Sequence, residues 1–374
     1  MKRQRRARLA AITIAAAAVT AAILVVPAQA STQGAQATVF ASGLNNPRGL
    51  EWGPDGNLYV AEGGTGGSTF TSATQCTQVK PPIGPYAGGF TADILRFAPD
   101  GTRSTVVGGL PSDQSAPPRN FQSGVADVAF MGNTMYALTA GAGCSHGHAN
   151  VDNAILRVNG NGTTTQIANL SSFIKANPVA QPDEDDFEPD GTWYSMAAYR
   201  GALYAVEPNH GEVDRVDPAT GSVSRLVDVS ATYGHIVPTA ITVDYLFGGF
   251  LLGNLGTFPV VPGSEQLMHV TVGGGISTLR TGFTTILGLD TDIWGNLYVL
   301  ESLTAPGPPG AAQLGTGKVV RINLLGQAST LATGLSFPTG MTIGPDGFLY
   351  VSNLGFGGPG AGQILRIPTG RVLG

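Results

Sequence analysis

A strand–turn–strand unit recurs six times along this chain, and that recurrence limits the fold more than any other feature. The first copy is Gly49-Leu50-Glu51-Trp52-Gly53-Pro54-Asp55-Gly56-Asn57-Leu58-Tyr59-Val60, and the last, residues 340–351, again reads Gly-Pro-Asp-Gly-x-Leu-Tyr-Val. Between them lie residues 124–137, 195–205, 240–252 and 288–299. Each copy leads to a third apolar strand such as Ile94-Leu95-Arg96-Phe97 or Val319-Val320-Arg321-Ile322. Five copies then pass a tight turn into a fourth strand such as Ser224-Arg225-Leu226-Val227. Four strands in each of six units predict an all-β, six-bladed β-propeller. The sixth unit lacks its fourth strand, and Ala37-Thr38-Val39-Phe40-Ala41-Ser42-Gly43-Leu44 copies the fourth strand of the fifth, Ser329-Thr330-Leu331-Ala332-Thr333-Gly334-Leu335. The N-terminal strand is therefore expected to complete the last blade and cover an edge that would otherwise template aggregation.

The chain has 54 glycines, 25 prolines and only 12% charged residues, which would suit a disordered segment were it not 42% hydrophobic. Residues 1–30 read as a signal peptide: Lys2, Arg3, Arg5, Arg6 and Arg8, an apolar run over 9–26, then Ala28-Gln29-Ala30 before a polar stretch. An uncleaved membrane anchor is the alternative, and Arg5-Arg6 leaves the general and twin-arginine export routes both open. Secretion is the expected localisation, with residues 31–374 as one propeller domain. Losing the five leader cations takes the formal net charge from −5 to about −10, leaving no basic surface for nucleic acid. No later segment is apolar enough to span a membrane, so the expected partner is a small molecule or an extracellular protein, met by a monomer.

Asn46-Pro47-Arg48-Gly49-Leu50, followed by Pro54-Asp55-Gly56-Asn57-Leu58-Tyr59-Val60-Ala61-Glu62 and by Asn209-His210-Gly211-Glu212-Val213-Asp214-Arg215, resembles the ScyD/ScyE family of secreted bacterial proteins. The resemblance covers residues 37–367, and extends more distantly to NHL-repeat, gluconolactonase and strictosidine-synthase-like propellers. It implies the fold, and a family linked to clusters for an extracellular sunscreen pigment with no settled activity. Lactonase-like propellers hold an axial metal through Glu and Asn just before first-strand glycines; here those places hold Arg48, Leu287 and Thr339, which departs from that pattern.

Propeller topology puts the strand 1–2 and 3–4 turns on one face and the other connections on the opposite face. The long segments 63–89, 141–153, 171–193, 230–237, 253–266 and 302–315 all belong to the second group, so that loop-rich face is the expected functional surface. Second strands end there at Glu62, Thr139, Glu207, Asn254, Glu301 and Asn353. Drawn near the axis, Glu62, Glu207 and Glu301 would offer oxygens to a hard cation such as Ca²⁺, or would meet Arg48 as counter-charge, with Asn209 and His210 beside them. An axial arginine would instead suit an anionic ligand, and Tyr86, Trp193, Tyr194 and Phe258 would supply flat contacts.

Cys76 and Cys144, the only cysteines, fall in loop-face insertions of adjacent blades and are expected to form a disulfide. A zinc site with His146 and His148 is the alternative. Gly143-Cys144-Ser145-His146-Gly147 matches Gly-x-Ser-x-Gly, but a loop of an all-β repeat lacks the strand–turn–helix elbow that motif needs. The acidic run Asp183-Glu184-Asp185-Asp186-Phe187-Glu188-Pro189-Asp190 lacks EF-hand spacing and reads as a solvated charge run or a weak cation site. Together these readings favour a binding module using the loop-rich face and axial mouth, with a metal-assisted hydrolase or lactonase-like enzyme on the same face as the alternative.

Overall fold

Alternation of side chains along each strand decides how the blades assemble. In the computed structural model, which describes residues 36–116, 121–182 and 187–370, six antiparallel sheets form a six-bladed β-propeller. The signal peptide over 1–30 and Asp183, Glu184, Asp185 and Asp186 of the acidic run lie outside the described residues. Among the described residues, no helix is long and apolar enough to cross a membrane.

Blade three illustrates the build, with strands Ser195–Tyr199, Ala202–Glu207, Glu212–Val216 and Val223–Asp228 in order. Its second strand is buried on both faces. Leu203 and Ala205 pack with Leu138, Ile155 and Trp193 of blade two and its outgoing connection, while Tyr204 and Val206 pack with Ile241, Phe250 and Met268 of blade four. A period of two thus sorts one strand's side chains into two inter-blade cores. Each such core spans two neighbouring blades, and each fully buried Leu, Ile or Phe contributes about 1.5–3 kcal/mol.

The ring closes as the repeat requires. Strand Thr38–Leu44 pairs antiparallel with Gly362–Pro368 of blade six, and Leu44 is fully buried. The strand 1–2 turns of blades one and six are set by an aspartate and a glycine. Asp55 accepts the Asn57 N–H at 3.2 Å and the Tyr59 hydroxyl at 2.9 Å, while Gly56 takes φ +74°, a region that disfavours any side chain. Asp346, Gly347 and Tyr350 repeat the device in blade six.

Blade one departs from the repeat. Its outer strands, Ala87–Phe97 and Arg103–Gln114, run far past the expected length as a bulged hairpin, joined by the short strand Gln122–Ser123. The segment read as a long loop after blade two instead opens with a helix, Leu170–Ala176, whose N-cap Asn169 accepts the Ser172 N–H at 2.8 Å.

Candidate functional site

Only the innermost strand of each blade reaches the axis, and its inward residues decide what the axis contains. Matching the strands by their pairing brings Gly49, Asp127, Ser195, Ala240, Gly288 and Gly340 into one layer. Five of the six are Gly, Ala or Ser, too small to fill the centre. Two residues further along each strand come Glu51, Ala129, Ala197, Thr242, Asp290 and Thr342. The result is an axial channel of about 730 Å³ lined by both layers.

The channel opens through the short turns, past Pro54, Tyr245, Ile293, Trp294 and Pro345. This reverses the expectation that the long loops surround the mouth. At the loop-rich end, Tyr194 of blade three crosses to the opposite blade six and donates its hydroxyl to the Thr339 carbonyl at 2.6 Å. Arg48 lies behind that ring, hydrogen-bonded to Tyr194 and donating to the Gln122 carbonyl. Burial lowers the Arg48 guanidinium, against the attraction of Tyr194 and Asp113, and raises the Tyr194 phenol.

Four acids line the channel: Asp292 is taken up by its own turn, accepting the N–H groups of Trp294 at 3.0 Å and Asn296 at 2.8 Å, and Glu51, Asp127 and Asp290 occupy inward positions of first strands. Asp127 packs so tightly over Gly49 that a β-carbon there would sit 1.9 Å from its Oδ1. Its oxygens accept the N–H groups of Val128 at 2.9 Å and of Met196, in the next blade, at 2.8 Å. Asp290 likewise takes the N–H of Thr291 at 2.7 Å and, across to blade six, of Ile343 at 2.8 Å. Burial pushes Asp127 up to about 7 and Asp290 up to about 6, against those donors. Glu51 is exposed to solvent and lines the channel, where desolvation by the surrounding walls, then Asp290 and Asp127, push its carboxyl above the usual carboxylate range. Among the described residues, the lining contains no lysine, arginine or histidine.

The second-strand ends do not converge on the axis, because their side chains face neighbouring blades and the connections between them. Glu62 accepts the Asn45 N–H at 2.6 Å, Glu207 that of Thr192 at 2.8 Å, Glu301 that of Thr284 at 2.6 Å, and Asn353 that of Ser336 at 2.8 Å. Asn254 reverses the polarity, donating to the Ile236 carbonyl at 2.9 Å, and Thr139 bonds within its blade to Ala154. Each thus latches a connection into an inner strand or its own sheet. Glu301 is further paired with Lys318 at 3.0 Å, and burial pushes Glu62 up to about 7. Among the described residues, no group of three or more Asp, Glu, His or Cys is arranged to hold a metal ion, so these residues do not fit the Ca²⁺ site expected of them.

On the loop-rich face, Cys76 and Cys144 form the expected disulfide, which leaves no thiolate for zinc. The short turn Cys144–His146 sits beneath it, with Ser145 buried and bonded to Asp190 at 2.5 Å rather than exposed on an elbow. His146 is fully buried, with Nδ1 at 2.5 Å from Asp113 on the long hairpin and Nε2 at 3.5 Å from Glu188, and Tyr86 stacks on its ring. Burial alone would lower this imidazole, but Asp113, Glu188 and Asp190 outweigh it and hold it up to about 9. His148 instead meets the Ser112 carbonyl at 3.1 Å. His210 contacts the Glu188 carbonyl at 2.9 Å, while Asn209 occupies the adjoining turn, partly exposed. Trp193 and Tyr86 are buried in packing, and Phe258 alone of the expected flat contacts is exposed.

No family model and no curated relative matches this sequence. Solved structures do match across most of it. An oxidoreductase described as a glucose dehydrogenase, from Thermus thermophilus, aligns over 89% of this chain and 100% of its own, at 16% identity and a TM-score of 0.55. The PQQ-bound aldose sugar dehydrogenase of Streptomyces coelicolor aligns over 89% and 98%, at 14% identity and 0.53. A gluconolactonase from Xanthomonas campestris aligns over 89% and 90%, at 10% identity and 0.51. At these identities the likeness is one of fold: this chain shares the six-bladed architecture of gluconolactonase-like and sugar-dehydrogenase propellers.

Proposed function

We propose that the protein is a binding module whose axial channel takes a small organic cation. The carrying observation is the lining: Glu51, Asp127 and Asp290 face one water-accessible channel that contains, among the described residues, no basic side chain. Three acids held near one another are disfavoured in their charged form until a cation enters between them. An ammonium or guanidinium group would supply that charge, and Trp52, Tyr245 and Trp294 near the mouth would add ring faces to it. Arg48, by contrast, is committed behind Tyr194, which argues against the anionic ligand that an axial arginine suggests. Export by the leader is part of this proposal, and N-terminal sequencing of protein recovered from culture medium should begin after Ala30.

The test is calorimetric titration with primary amines, guanidinium compounds, sugars and carboxylates at pH 7.5. Cations should bind, and Glu51→Gln should weaken them about tenfold or more, the usual scale for one charged hydrogen bond in a shielded site. Binding confined to sugars or carboxylates would overturn the reading.

A second reading is hydrolysis of a lactone or related ester in the same channel. Its support is Asp127, held up to about 7 and so suited to exchange a proton near neutral pH. Turnover of aliphatic lactones that disappears in Asp127→Asn, while fold and melting are retained, would establish it.

A further inference from the structure

The channel mouth does not end in polar surface. Tyr245 and Ile293 line the channel and are also 79% and 82% exposed outside it. Leu246 and Phe247 follow in the same turn of blade four, 60% and 85% exposed. Leu324 and Leu325, on the outer turn of blade five, are 62% and 83% exposed. Gly295 joins the two groups: a β-carbon there would lie 2.6 Å from Leu324 and 3.6 Å from Leu246. Apolar side chains therefore run without interruption from the axis outward across two blades, on the face where the channel opens. Isolated exposed apolar residues are ordinary, whereas a contiguous track leading from a pocket marks a contact surface.

Tyr245 links the two environments. It lines the channel together with Glu51 and Asp290, and stands exposed at the start of the track. One molecule occupying both places would need a charged end and an apolar end. We propose that the ligand is an amphipathic amine, its ammonium among Glu51, Asp127 and Asp290 and its hydrocarbon chain laid over Leu246, Ile293 and Leu324. This rests on the channel reading above and adds the tail. Continuity with the channel and the acidity of its lining favour this occupant over a bilayer, since a flat lipid surface would give the carboxylates no partner.

The experiment is titration of the full secreted chain with methylamine, n-butylamine and n-octylamine at pH 7.5, below any micelle concentration. Affinity should rise about two- to fourfold per methylene once the chain leaves the channel, as expected for apolar burial. Replacing Leu246 and Leu324 by serine should remove much of the butyl-to-octyl gain, while methylamine, too short to leave the channel, keeps its affinity. Glu51→Gln should weaken all amines by a common factor. Equal affinity for butyl and octyl chains would overturn the tail while leaving the channel reading intact. Failure of every amine to bind would remove the channel reading and the tail with it. Sedimentation with phosphatidylcholine vesicles, without any chain-length gain in solution, would assign the track to a bilayer and overturn the proposal.

Discussion

At Glu51 desolvation and repulsion from Asp290 and Asp127 act in the same direction, while at Asp127 and Asp290 burial outweighs the backbone donors, so all three favour the protonated form. A carboxyl raised in the folded state holds its proton longer than in the unfolded chain, so these groups lose stability as pH rises from about 4 through about 7. Glu51→Gln should therefore leave melting unchanged at pH 4 and raise it at pH 8. Channel water screens the repulsion, so the gain should be no more than about 1 kcal/mol. Melting curves at the two pH values check this. His146 has the opposite sign. Its raised imidazole contributes stability that is fully present below about 6.5 and lost as pH climbs through about 9. His146→Gln should cost at most about 3 kcal/mol near pH 7, and progressively less on approaching pH 10, measured by urea unfolding across that range.

Among the elements, the Cys76–Cys144 bond ties the insertions of blades one and two over 68 residues of chain. Loop-entropy arguments put its contribution at about 4 kcal/mol, so a Cys76→Ala, Cys144→Ala double variant should melt markedly lower, and the unreduced wild type should take up no alkylating reagent in intact-mass analysis. Leu44→Ala, in the strand that completes blade six, should cost about 2–5 kcal/mol by opening a cavity, read from chemical denaturation. The strands were legible because a period of two, punctuated by glycine turns, repeats in every blade. The blade-one hairpin was not, because Gly88-Gly89 and several bulges interrupt its alternation. The channel acids escaped for a related reason. Register shifts between Pro47 and Leu50, Val125 and Asp127, and Ile286 and Gly288 break the inner strands where they meet the axis. A bulge changes which residues face inward, and nothing in local composition announces it. Glu62, Glu207 and Glu301 drew the eye instead, as charges ending apolar runs, although their work is to hold connections in place.

For the molecule as a whole, the ring divides stability from recognition. The inter-blade cores draw side chains from every strand of a blade, while the channel is lined by inward-facing residues of the first strands alone, together with the turns at its mouth. Substitutions at Thr242 or Thr342 should thus alter ligand preference while shifting melting by little, which paired titration and melting of Thr242→Val would measure. The closing strand has a consequence of its own. Thr38 meets Arg366, a partner 328 positions away, so the ring cannot shut until nearly all of the polypeptide has emerged. Five blades have every strand close at hand, and the sixth waits for the two ends to find one another. Maturation should therefore end in a slow clasp, with an open-ringed intermediate whose exposed edge is the species a chaperone would meet.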